Sequence, residues 1–130
     1  MKLYRAMKAA PDGLPEVGDT FGRLGVRPTI PGRRGDVPAT DPAEPVGPGK
    51  GGISVAIDSP DNLPAHLKPP RGRHPVWEID TADLGPGLVA TDAGSPHFHV
   101  EAARPMTLAE LQALLADTRT KWVRVQWGQP

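Results

Sequence analysis

Apolar and polar side chains alternate with a period of two along several short stretches of the chain. The alternation predicts strands at Lys2 to Met7, Ile53 to Ile57, Val76 to Asp80, Leu88 to Thr91, His97 to Ala102 and Lys121 to Trp127. Most of these stretches are rich in β-branched or aromatic residues, which suit a pleated, half-buried surface. One segment changes period. From Leu108 to Thr118 the spacing of Leu108, Leu111 and Leu115, with Leu114 beside them, draws the buried stripe of a helix. Thr107 followed by Glu110 three residues on is a capping box, and Pro105 stands just ahead.

Between these elements lie two long stretches without periodicity. Pro28 to Lys50 contains Pro28, Pro31, Pro38, Pro42, Pro45 and Pro48 and few apolar side chains, so it is expected to add little core. It reads as a long irregular loop, mobile alone and ordered by a ligand, covering a site or facing a target. Pro60 to Pro75 is a second loop, carrying Lys68, Arg71, Arg73 and His74. No internal repeat is visible. The reading is one domain over residues 1–130, α+β and mainly β, with one C-terminal helix and long Pro/Gly-rich loops.

Composition sharpens this picture. The 17 Pro and 15 Gly are about a quarter of 130 residues, which excludes a long helical bundle. Fifteen Lys and Arg balance fifteen Asp and Glu. That weighs against a dedicated nucleic-acid binder, which draws its affinity from a basic excess. With no Cys there is neither disulfide nor thiolate metal site. Lys2, Arg5 and Lys8 interrupt the first residues, so no Sec-type signal is expected, and no apolar stretch is long enough to span a bilayer. An intracellular location fits, and export without a cleavable signal stays open.

Three places carry candidate chemistry. In His97-Phe98-His99-Val100-Glu101, strand alternation puts His97, His99 and Glu101 on one face, either as a proton-transfer or ligand-binding strip or as an ordinary polar surface. In Lys50-Gly51-Gly52-Ile53-Ser54-Val55, paired glycines entering a strand permit close approach to the backbone by a second strand or by a ligand. The pattern lacks the Gly-x-Gly-x-x-Gly order and a following helix, so a Rossmann phosphate site is not expected. Arg5 sits mid-strand in Leu3-Tyr4-Arg5-Ala6, where a guanidinium needs an anionic partner unless it lies on an exposed edge.

Taken in order, Leu3-Tyr4-Arg5-Ala6, Gly51-Gly52-Ile53-Ser54-Val55, Leu63-Pro64 with Leu67-Lys68, and His97-Phe98 followed by Arg104-Pro105-Met106 resemble one family. The chain is similar to the small bacterial toxins with an ADP-ribosyltransferase-like fold that are delivered by type VI secretion, and to their single-domain relatives. The resemblance implies split, curved β-sheets with a cleft between them, and NAD as the substrate bound there. It assigns Arg5 to anchoring the dinucleotide, with Tyr4 beside it, and Ser54 to the nicotinamide-ribose pocket. His97 would orient ribose hydroxyls, and backbone groups near Gly52 and Ile53 would hold the departing amide. Glu101 is the best single candidate for the carboxylate that stabilises oxocarbenium-like charge. Transfer of ADP-ribose to a macromolecular acceptor and hydrolysis by water stay equally open. A bacterial cytoplasmic setting and a neutralising immunity partner follow from the same resemblance.

Two other readings compete. A non-catalytic module on the same scaffold would bind a protein or an RNA through Arg33-Arg34 and the Lys68 to His74 stretch, although zero net charge weakens the RNA version. A metal-dependent small-molecule enzyme would use His97, His99 and Glu101, with His66 or His74 completing the ligand set.

Overall fold

Five strands form where the alternation places them, and their antiparallel pairing builds the body of the fold. In the computed structural model, which describes residues 1–127, the elements in chain order are β1 (Lys2–Ala6), β2 (Pro45–Val46), β3 (Gly52–Ile57), β4 (Val76–Asp80), β5 (Leu88–Asp92), β6 (His97–Ala102), β7 (Met106–Thr107), α1 (Leu108–Asp117) and β8 (Val123–Arg124). The main sheet has six strands in the order β5-β6-β3-β1-β4-β8, and β2 and β7 form a separate two-stranded ribbon. The fold is α+β and mainly β.

Alternation decides what each face of the sheet does. Leu3, Ile53, Val55, Trp77, Ile79, Val100 and Ala102 share one buried cluster with Leu108, Leu111 and Leu115 of α1. Each fully buried leucine or isoleucine there contributes about 1.5–3 kcal/mol of burial free energy. The helix begins at the predicted capping box: Glu110 N donates to Thr107 Oγ1 (3.2 Å), and Thr107 N donates to Glu110 Oε1 (3.4 Å). On the opposite face Tyr4, Ala6, Ala56, Leu63 and Val76 form a smaller cluster. It is covered by the short 3₁₀ turns Pro60–Asn62 and Ala65–Leu67 and by Val125 and Trp127.

The Pro28 to Lys50 stretch departs from expectation. Val37, Ala39 and Val46 are buried in the main cluster, and β2 pairs with β7. The carbonyls of Pro42 and Glu44 accept from the amides of Ala109 and Leu108 (2.9 Å each), two of the first-turn amides of α1 that have no partner inside the helix. The stretch therefore closes one end of the core. Its few apolar residues are spaced so that polar and proline residues hide any period, yet Val37, Ala39 and Val46 point inward while Ile30 stays exposed.

The C-terminal strand is also shorter than expected. After α1 the chain takes a 3₁₀ turn at Arg119–Lys121, and Trp122 is buried with its Nε1 donating to Thr118 Oγ1 (2.9 Å). Only Val123 and Arg124 join the sheet, opposite Glu78 and Trp77. A turn satisfied by its own side-chain bond competes here with an edge position that has a partner on one side alone.

The sheet narrows at its centre. β1 pairs with β4 along its whole length, from Lys2↔Asp80 to Ala6↔Val76, whereas it meets β3 only at Leu3↔Ile57 and Tyr4↔Ala56. Beyond that point β3 continues its pairing with β6, as Ile53↔Val100 and Ser54↔His99. The two central strands therefore diverge, and the opening begins at Arg5.

Candidate functional site

Arg5 occupies the place where the β1/β3 ladder stops. Its Nη1 donates to Ser54 O (2.8 Å) and its Nη2 to Arg23 O (2.9 Å), so the side chain bridges diverging strands and ties in the loop after β1. Its Nε is buried without a hydrogen-bond partner. Burial lowers the guanidinium pKa to about 10, with Arg27 acting in the same sense and Asp36 opposing both. Arg5 is therefore a cation at neutral pH, and among the described residues its guanidinium has carbonyl partners but forms no ion pair.

A cleft of about 390 Å³ opens over this group. Val55, Leu63, Leu67 and Pro96 supply apolar wall, and Arg5, Ser54, His66, His97, Arg27 and Asp36 supply polar groups. Arg27 and Asp36 form a clasp: Arg27 N and Nε donate to Asp36 Oδ2 (2.7 and 3.3 Å) and Nη2 to Oδ1 (3.0 Å). The Asp36 charge is thereby committed to Arg27, which leaves Arg5 as the less compensated cation.

The residues expected from sequence are distributed over several environments. Arg5, Ser54 and His97 line the cleft together. Tyr4 does not reach it; the ring is buried in the smaller cluster, and burial together with nearby Glu78 raises its pKa. The Ile53 side chain is fully buried in the main core, which leaves only its backbone groups for the role the resemblance assigns. Gly52 answers the question its sequence left open. A Cβ there would lie 2.0 Å from Val100 O, and one at Gly51, where φ is +97°, would lie 2.1 Å from Asp36 O. At both glycines the close neighbour is the protein's own backbone.

Glu101 is 4% exposed and accepts a hydrogen bond on Oε1 from Gly49 N (2.8 Å). It lines an adjoining open cavity of about 830 Å³ with His99, Gly52 and Lys50 and stands outside the cleft that holds Arg5. Asp36 lines both spaces. The predicted His97, His99, Glu101 face runs from one to the other, with the two imidazoles edge to face at 5.1 Å between centroids. Burial and neighbouring His97 lower the His99 pKa, against the opposing pull of Glu101 and Asp36. Among the described residues, no three His, Asp or Glu side chains converge as a metal site, so the metal-enzyme reading finds no ligand set there.

Sequence reasoning missed Arg27, Asp36 and Phe21. All three sit in loops without periodicity, and the Arg27–Asp36 clasp exists only once the loop has folded back on itself. Among the described residues no helix is long and apolar enough to cross a membrane. No family model, curated protein or solved structure matches the chain.

Proposed function

We propose that the cleft binds NAD as substrate and that the protein breaks its nicotinamide–ribose bond, in the manner of the ADP-ribosyltransferase-like toxins that the sequence resembles. The observation that carries this reading is Arg5: a partly buried cation without an ion-pair partner among the described residues, at the divergence of two central strands, opening into a cleft that also holds Ser54 and His97. A phosphate would supply the anion that such a guanidinium lacks and accept from its unused N–H donors.

In the reaction the glycosidic electron pair leaves with nicotinamide, positive charge develops on the ribose, and a nucleophile adds at the anomeric carbon. Either water or a macromolecular acceptor can play that part. The carboxylate that this reading assigns to offset the ribose charge is Glu101, which lines the adjoining space beyond the Arg27–Asp36 clasp. The same reading brings with it a bacterial setting and an immunity partner in the producing cell.

The commitment of Glu101 to Gly49 favours a second reading, in which the scaffold binds a nucleotide or a protein partner without turnover. Incubation with NAD and quantification of released nicotinamide separates the two. The enzymatic reading expects release by the native protein and none by Arg5→Lys; binding of NAD without release, with or without added cell extract as acceptor source, would leave the second reading standing.

A further inference from the structure

Phe21 is 57% exposed, yet it is held in place on the rim of the cleft. The Arg27 guanidinium lies 5.8 Å from its ring centroid, within cation–π range, and Arg27 is itself fixed by three hydrogen bonds to Asp36. The backbone around the ring is pinned as well: Arg23 Nη1 donates to Phe21 O (3.2 Å), and Lys8 N donates to Gly22 O (2.8 Å). Arg5 Nη2 reaches Arg23 O, so the loop that carries the aromatic is hydrogen-bonded to the cation at the floor of the cleft.

An aromatic ring held on the rim and a guanidinium without an ion-pair partner in one cleft match a ligand with a planar base at one end and a phosphate at the other. The cleft volume of about 390 Å³ is near the small end for ligand pockets, enough for part of a dinucleotide, with Asp36 marking the way into the adjoining space. We infer that Phe21 is the stacking platform for the heterocyclic base of the bound nucleotide, its ring held by the Arg27–Asp36 clasp, while Arg5 receives the phosphate. This rests on the nucleotide reading above and adds to it the site of the base.

The test compares ligands that share one phosphate and differ in the base: AMP, nicotinamide mononucleotide and ribose 5-phosphate, titrated into the native protein, Phe21→Ala and Phe21→Trp with amide chemical shifts as readout. The platform predicts that at least one of the two nucleotides binds about tenfold more tightly than ribose 5-phosphate. Phe21→Ala removes that difference and leaves ribose 5-phosphate affinity unchanged, and Phe21→Trp restores it. Whichever nucleotide shows the effect identifies the base. Equal affinities in the native protein, or a difference that survives in Phe21→Ala, overturn the platform while leaving the phosphate site in place. Absence of binding by all three overturns the platform together with the nucleotide reading.

Discussion

A single side chain sets up the site. Arg5 replaces part of a missing strand ladder with two hydrogen bonds to carbonyls, and it keeps N–H donors in reserve. Replacing it by methionine removes two bonds worth about 1 kcal/mol each, and it also removes the cost of partly burying a cation whose nearest carboxylate, Asp36, is paired with Arg27. The two effects oppose, so urea unfolding of Arg5→Met is expected to give a stability within about 1 kcal/mol of the native protein. Binding of NAD is lost in the same variant. A loss of stability several times larger would make Arg5 a structural strut instead.

His99 gives a second prediction at this scale. Its pKa is lower in the folded chain than the ordinary imidazole value of 6.5, chiefly through burial, so the unfolded chain takes up the proton first. Its contribution is complete above that value and drains away as pH falls through the lower native one. His74 shifts in the same direction, through burial and the nearby Arg23, Lys8 and Arg73. Melting temperatures between pH 8 and pH 5 should therefore fall less steeply in His99→Asn than in the native protein, with part of the slope retained. Identical slopes would contradict the assignment.

Among the elements, β3 depends on contact with β6 that only glycine allows. A methyl group at Gly52 meets the Val100 carbonyl oxygen and carbon and the Glu101 Cα, all backbone atoms that cannot rotate away. Gly52→Ala is expected to lose about 1–3 kcal/mol in chemical unfolding, as overpacked positions do. Unchanged stability would mean that the strands can separate freely here.

The elements also show what the sequence made legible. The β1, β3, β4, β5 and β6 strands could be read because their apolar, β-branched and aromatic residues fall in short periodic runs between breakers, and α1 because Leu108, Leu111 and Leu115 recur at helical spacing after a clear N-cap. The two-residue β2 and β7 are too short to carry a period, and the inward-facing Val37, Ala39 and Val46 are diluted by prolines. Arg5, Ser54 and His97 stood out in sequence because each interrupts or decorates a strand pattern. Phe21, Arg27 and Asp36 did not, because loop closure alone brings them to the cleft. Parity placed Glu101 on the face of His97 but carried no information about reach: four residues of strand separate the two by about 13 Å, enough to put the glutamate in the next cavity.

At the scale of the molecule, the abundance of Pro and Gly organises a small sheet. Proline-rich loops pack onto the N-terminal end of α1 and over both faces of the strands, and balanced overall charge leaves Arg5 as a local source of positive potential inside a cleft. Electrostatic attraction of a dinucleotide would therefore be local and focused by the cleft walls. The most direct measurement is a titration of ¹⁵N-labelled protein with NAD, followed by amide chemical shifts in the native chain and in Arg5→Met. Saturable shifts are predicted at Arg5, Ser54 and His97 and around Phe21 in the native protein, and their loss in the variant. Saturating NAD with no change at those amides, or the same shifts in Arg5→Met, would contradict the account.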